Sequence, residues 1–191
     1  MMHNGHRPQL IAITRAVEID SPTAFLRAFA DQPRVFWQRG QYASAYAGAG
    51  AAAVVRAEGS RRFDDIQRAI SAIMTDAHIE TTAPLEVRPR WLGGFAFAAQ
   101  QDQDPLWSSF GNALFILPRY LLTRIGGFHW LTLCDYSSGA RAERMAALHA
   151  DFDQTLTRIQ AEHSAPLTAH AQTLSERTDR DDWMAQDERG I

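Results

Sequence analysis

Cys134 and His129 are the residue types from which a thiolate nucleophile and its base are made. They lie five positions apart in a segment that reads as one strand. Their side chains therefore face opposite sides of a sheet and form no dyad. Cys134 reads instead as a small buried hydrophobe, and no Gly-x-Ser-x-Gly elbow exists to supply a serine. His149 and Asp153 are one helical turn apart and could share a ligand, but a third ligand is missing. His163 and His170 straddle Pro166, which leaves their geometry undefined. Asp102 and Asp104 could ligate a hard cation, yet without further oxygen ligands nearby they read as a polar surface loop. Asp64 and Asp65 point in different directions on a helix and read as solvated cap charges. Gly48-x-Gly50-x-x-Ala53 spells the dinucleotide pattern, which requires a helix to open at the glycines. Val54-Val55-Arg56 is strand-like and Gly59 follows at once, so a strand is the preferred reading. No residue is assigned a catalytic, cofactor-binding or metal-binding role.

Composition narrows the chemistry further. All 19 basic residues are arginine, so Schiff-base formation, a P-loop lysine and a lysine general base are unavailable in these 191 residues. A net charge of -3 gives no basic footprint for nucleic acid and no polybasic membrane segment. The residues before Pro8 contain no apolar run like that of a signal peptide. Pro118 and Arg119 interrupt the longest apolar stretch, so no segment is expected to span a membrane. A single cysteine fits a reducing compartment, and the expected location is cytoplasmic. With 46% hydrophobic residues, one domain with a full core is expected.

Elements follow from pattern. Residues 9–19 are rich in β-branched types and predict a strand. Ser21-Pro22 starts a short helix, with Ser21 as its cap and Phe25, Leu26 and Phe29 as its buried stripe. Residues 34–38 predict a second strand turning at Gly40. Residues 42–56 return as a third, with Gly48 and Gly50 marking a bulge or a close backbone approach. Ser60 is the expected cap of a helix over 61–77, whose apolar positions run from Phe63 through Ile66 and Ile70 to Ile73 and Ala77.

Residues 90–119 hold paired glycines, Gly93-Gly94, between aromatic runs and are expected at the centre of a sheet. Trp91–Ala99 and 113–117 predict strands, and 120–124 with 128–134 predict a hairpin across Gly126-Gly127. From 139 to 163 the chain predicts a helix with Met145, Leu148, Phe152, Leu156 and Ile159 on one stripe. Residues 164–178 read as a connector, and a last helix starts at Thr178 with Trp183 as its anchor. Trp37, Trp91, Trp107 and Trp130 lack interleaved basic clusters and read as core rather than as a platform for bases. The fold class is α+β, with mostly antiparallel strands covered by helices on one face.

Four motifs in order carry a family resemblance. Val35-Phe36-Trp37-Gln38, Ala47-Gly48-Ala49-Gly50-Ala51-Ala52, Trp91-Leu92-Gly93-Gly94-Phe95-Ala96-Phe97, and Trp107 with Phe110 ahead of Phe115-Ile116-Leu117-Pro118-Arg119 resemble the N-terminal half of isochorismate synthases. These belong to the chorismate-binding family, with the anthranilate, aminodeoxychorismate and salicylate synthases. Gly93-Gly94-Phe95-Ala96-Phe97 looks more like the isochorismate form, and the Leu-Leu-Glu-Ser motif of the anthranilate branch is absent.

The resemblance implies an enzyme about twice this length, using Mg2+ to hold chorismate. A lysine would activate water for attack at C2, and a glutamate would help expel the C4 hydroxyl. Those residues lie beyond Ile191, on a strand and helices to which the Trp183 helix would lead. Residues 1–191 are thus expected to form a single N-terminal scaffold domain or fragment, inactive alone, with no cofactor bound by this chain. Its expected partner is the missing C-terminal catalytic half, and uncovered strand edges are expected to make the fragment self-associate. Two other readings remain: a non-catalytic interaction module pairing with a separate catalytic chain, and the same region of another family member such as a salicylate synthase.

Overall fold

In the computed structural model, residues 7–19, 21–40, 44–97 and 109–163 are described. Strand β1 (Gln9–Val17) sets the frame because both of its faces are buried. Leu10 and Ala12 point to one side, Ile11 and Ile13 to the other, as a period of two requires. It pairs antiparallel with β9 (Phe128–Ser137) along its whole length, from Gln9 opposite Ser137 to Val17 opposite His129. On its other edge lies β5 (His78–Thr81), parallel, with Ile11 opposite His78.

The remaining strands of this sheet come from hairpins. Strand β8 (Tyr120–Ile125) meets β9 across Gly126 and Gly127, both at positive φ (57° and 88°), as a two-residue turn matched to strand twist demands. Strand β3 (Ser44–Ala49) pairs with β8, and β2 (Arg34–Arg39) pairs with β3. The order is β2-β3-β8-β9-β1-β5, antiparallel except at β1 and β5. A second, three-stranded antiparallel sheet runs β4 (Ala53–Ala57), β7 (Ala113–Leu117), β6 (Leu92–Phe95).

Among the described residues three helices cover these sheets. Helix α1 (Pro22–Ala28) begins as expected, with the Ala24 N–H donating to the Ser21 hydroxyl oxygen at 3.2 Å. Helix α3 (Arg141–His163) lays Leu148, Phe152 and Ile159 against Ile11, Ile13, Leu131 and Leu133, with Phe25 and Phe29 of α1 beside them. Leu26 is only partly buried there. On the opposite face, Leu10, Ala12 and Cys134 meet Leu117 and Ala53 of the small sheet. Helix α2 (Arg62–Thr75) closes that side through Ile66, Ile70 and Ile73. Among the described residues no helix is long and apolar enough to cross a membrane.

The α+β class and the antiparallel bias agree with expectation; several details do not. Helices lie on both faces of the large sheet, because the end of α2 (Ile73, Met74) packs with Leu10, Ala12 and Cys134 beside the small sheet. The single strand expected over 42–56 is two strands in two sheets. Gly50, at φ 59°, redirects the chain between them. Gly48 does mark a close approach: a Cβ there would sit 2.8 Å from Pro118 Cγ.

Helix α2 is capped by Arg61 without a side-chain hydrogen bond, so Ser60 is not its cap. Phe63 is 51% exposed rather than part of the buried stripe, and its ring rests 4.4 Å from that of Phe95. Gly93-Gly94 lies on β6, an edge strand; the centre of that sheet is β7. The expected helix at Trp183, with Trp107, falls outside the described residues.

Candidate functional site: an aromatic groove between two sheet edges

Each residue pair singled out for chemistry has a definite place. Cys134 is fully buried in β9 opposite Ala12, and His129 sits at the far end of the same strand opposite Val17. Burial pushes the Cys134 thiol up to about 12, the opposite of what a nucleophile needs. His149 does lie near Asp153, but Arg15 joins them: its guanidinium contacts His149 Nδ1 and stands 3.8 Å from the Asp153 carboxylate. His149 Nε2 lies 3.3 Å from Glu80 on β5, so the cluster ties α3 to the sheet edge. Asp65 pairs with Arg68 at 3.2 Å, one turn on. The residues after Ala53 form β4, which excludes the helix a dinucleotide pattern requires. Asp102, Asp104 and His170 lie outside the described residues. Among the described residues no group of three His, Cys, Asp or Glu is placed to hold a metal ion.

A partly buried ion network lies on the α3 side of the large sheet. Arg119 donates to Asp151 at 2.8 Å and to the Cys134 carbonyl at 2.9 Å, and stands 3.4 Å from Asp135. Tyr120 donates to Asp151 at 3.1 Å. Arg144 donates to Asp135 at 2.7 Å and to the Gln9 carbonyl at 2.8 Å. Burial opposes the charge on Arg119, but the hydrogen bond and charge of Asp151 more than offset it and raise its pKa. Burial, and then the Asp151 charge, raises that of Tyr120. These contacts fasten α3 to β8, β9 and β1.

Among the described residues, an open surface lies where the two sheets end side by side. Strand β2 is the last strand of the large sheet and every residue in it is exposed. Val35 is 36% exposed and Phe36 and Trp37 each 46%, so apolar side chains face solvent on both faces. Strand β6 is the terminal strand of the small sheet. Between them runs a groove of ≈ 330 Å³, walled by Val35, Phe36, Trp37 and Tyr46 on one side and by Arg90, Trp91, Leu92 and Gly93 on the other. Trp37 rests on Tyr46 across the strand pair, ring centroids 5.5 Å apart. Arg90 reaches over from the other wall to place its guanidinium 4.4 Å above the Tyr46 ring. The buried Trp91 indole N–H has no hydrogen-bond partner among the described residues.

Gly93 explains how β6 can form this wall. A Cβ there would overlap the Leu114 carbonyl oxygen and sit 2.7 Å from the Phe115 Cα, so only glycine lets β6 close on β7. The groove is also electrostatically one-sided. No Asp or Glu occurs between Asp31 and Glu58, or between Glu86 and Asp102, while Arg34, Arg39, Arg88 and Arg90 do.

Trp37 is expected in a core; the structure corrects this, since among the described residues β2 has a neighbour on one edge only. The signal was present in Val35-Phe36-Trp37: three consecutive apolar residues on a strand cannot all face one core. The pairing of Arg90 with Tyr46 had no such signal, because it depends on two sheets meeting.

A family model described as "Chorismate binding enzyme" matches residues 1–189. Among solved structures, the fold is similar to MenF, the menaquinone-specific isochorismate synthase from Escherichia coli, at 20% identity and a TM-score of 0.52. That match covers 98% of this chain and 38% of that one, so the chain spans well under half the length of its structural relative. Comparison with curated protein sequences returns no match.

Proposed function

Because the chain belongs to the chorismate-binding enzyme family, we propose that it is the N-terminal scaffold of an isochorismate synthase, which isomerises chorismate to isochorismate for menaquinone or siderophore synthesis in the cytoplasm. The observation that carries this reading is the family match over residues 1–189 together with a groove whose walls are two sheet edges. In this reading the catalytic half packs along the groove, covering Phe36 and Trp37. The described residues offer no trio of ligands for Mg2+, and the chain has no lysine to serve as a base. By resemblance to the family, Mg2+, the general base and the general acid belong to the other half.

This chain's own part is positional. The large sheet is stiffened by the Arg119–Asp151 network and by the packing of α1 and α3. A rigid support of this kind holds a neighbouring site in its productive geometry. The same region of a different chorismate-utilising enzyme, such as a salicylate synthase, would look alike, since the groove itself contacts no substrate in this reading.

The test is complementation. Residues 1–191 are co-expressed with the catalytic half of the enzyme as a second chain, and chorismate consumption is followed by product chromatography. Isochorismate formed only when both chains are present is the expected result. Formation of salicylate or anthranilate, or equal activity without residues 1–191, would overturn the proposal.

A further inference from the structure

The hydrogen-bond phase of β2 identifies what its open edge can accept. The Gly50 N–H donates to the Pro33 carbonyl at 3.0 Å, one step beyond the pair of Arg34 with Ala49. In an antiparallel ladder, bonded and non-bonded pairs alternate. Val35 and Trp37 therefore exchange bonds with Gly48 and Tyr46, and the backbone N–H and C=O of Phe36 point away from β3 toward the open edge. A hollow lies to either side of that edge. One, of ≈ 440 Å³, is lined by Leu26, Gln32 and Arg34; the other is the groove at Tyr46 and Trp91. Val35 and Phe36 border both. An added strand sends alternate side chains to opposite faces, so each hollow is placed to take one set.

We infer that β2 accepts an extended strand by β-augmentation, and that this strand belongs to the catalytic half and carries an apolar centre flanked by acidic residues. The inference rests on the scaffold reading above, and names the element that docks. The apolar centre answers Val35, Phe36 and Trp37, whose exposure leaves them uncovered. The acidic flanks answer Arg34 and Arg39 at the two ends of β2 and Arg90 across the groove, in walls that contain no carboxylate. A second copy of this chain would bring the same arginines to the same edge, which disfavours it against a partner of opposite charge. Main-chain bonds would supply affinity, and the charges would set the choice of partner.

The purified 191-residue chain is titrated with two synthetic peptides sharing one alternating Val-Thr centre, one flanked by aspartates and the other by lysines. Intrinsic tryptophan fluorescence is the readout, since Trp37 borders the site. The aspartate-flanked peptide should saturate the signal with an affinity about tenfold or more above that of the lysine-flanked one, a difference of one decade in Kd. Phe36→Pro removes the outward N–H without touching the ladder to β3, so it should melt cooperatively and lose the peptide. Phe36→Asp keeps the N–H and repels the flanks, and should also lose it, which keeps the test decisive if the proline variant fails to fold.

Equal affinity for both peptides, no binding by either at millimolar concentration, or binding unchanged in both variants would overturn the inference. A dimer by light scattering that Phe36→Pro abolishes would assign the edge to a second copy and overturn it as well. The complementation assay separates the two readings. Activity restored equally by the Phe36→Pro chain overturns the docking strand alone, whereas selective peptide binding without any activity on mixing overturns the enzyme reading and, with it, the assignment of the strand to a catalytic half, leaving only the chemistry of the edge.

Discussion

The Arg90 guanidinium lies 4.4 Å above the ring of Tyr46. Tyr46 is in β3 of the large sheet, while Arg90 lies in the segment just before β6 of the small sheet. Tyr46 also supports Trp37 from below. One ring thus fixes both walls of the groove, and a cation seated on it is worth about 0.5–1 kcal/mol when exposed and more when a partner excludes water. In the proposed docking the contact should strengthen as water is excluded.

Gly93→Ala is expected to detach β6 from β7. The added methyl would overlap backbone atoms, which cannot give way as a side-chain tip can. Overpacking of this kind costs about 1–3 kcal/mol. Gly94→Ala, whose Cβ would meet only the Phe110 ring at 3.7 Å, should cost well under half as much. Thermal or urea melts of the two variants measure the difference; equal melting would remove the close-packing role assigned to Gly93.

The clamp at Asp151 makes a second, separable prediction. Asp151→Ala leaves Arg119 with Asp135 at 3.4 Å and leaves Tyr120 without its acceptor. It should destabilise the chain by about 1.5–3 kcal/mol, the range for a hydrogen bond to a charged group. Tyr120→Phe removes one donor and should cost about 1 kcal/mol. Urea unfolding checks both, and a Tyr120→Phe loss equal to that of Asp151→Ala would contradict the assigned roles.

Cys134 predicts how stability changes in alkali. Its folded pKa is raised, from 9.0 to about 12, so the unfolded chain releases its proton first as pH rises. The stabilisation is fully present below pH 9 and is lost as pH climbs toward 12, at up to about 1.4 kcal/mol per pH unit. Cys134→Ala should flatten this slope between pH 9 and 10. In the native protein near pH 8, a thiol reagent should label Cys134 only as fast as the chain opens; immediate labelling would show the residue to be accessible.

Much of this architecture is legible in local sequence because local rules set it. Ser21-Pro22 fixed the start of α1, Gly126-Gly127 fixed the β8–β9 turn, and the Leu148, Phe152, Ile159 stripe fixed the buried face of α3. The errors fall where distant segments decide. β5 is four residues with no distinctive pattern, and it exists because β1 has an edge to pair with. β3 and β4 read as one run because the residue that separates them, Gly50, is equally compatible with a bulge. Gly93-Gly94 reads as a sheet centre but lies on an edge strand, since glycine reports the proximity of another backbone and not strand order. The candidate site was legible only in part: the apolar run Val35-Phe36-Trp37 points to it, but nothing in the chain's order predicts that Arg90 and Trp91 form the facing wall.

The most direct test of the scaffold account is the chorismate turnover of the purified 191-residue chain alone, with Mg2+ present, followed by chromatographic separation of isochorismate from chorismate. The account predicts no isochorismate above a no-enzyme control. Enzyme-dependent formation of isochorismate that scales with the concentration of the chain would contradict it.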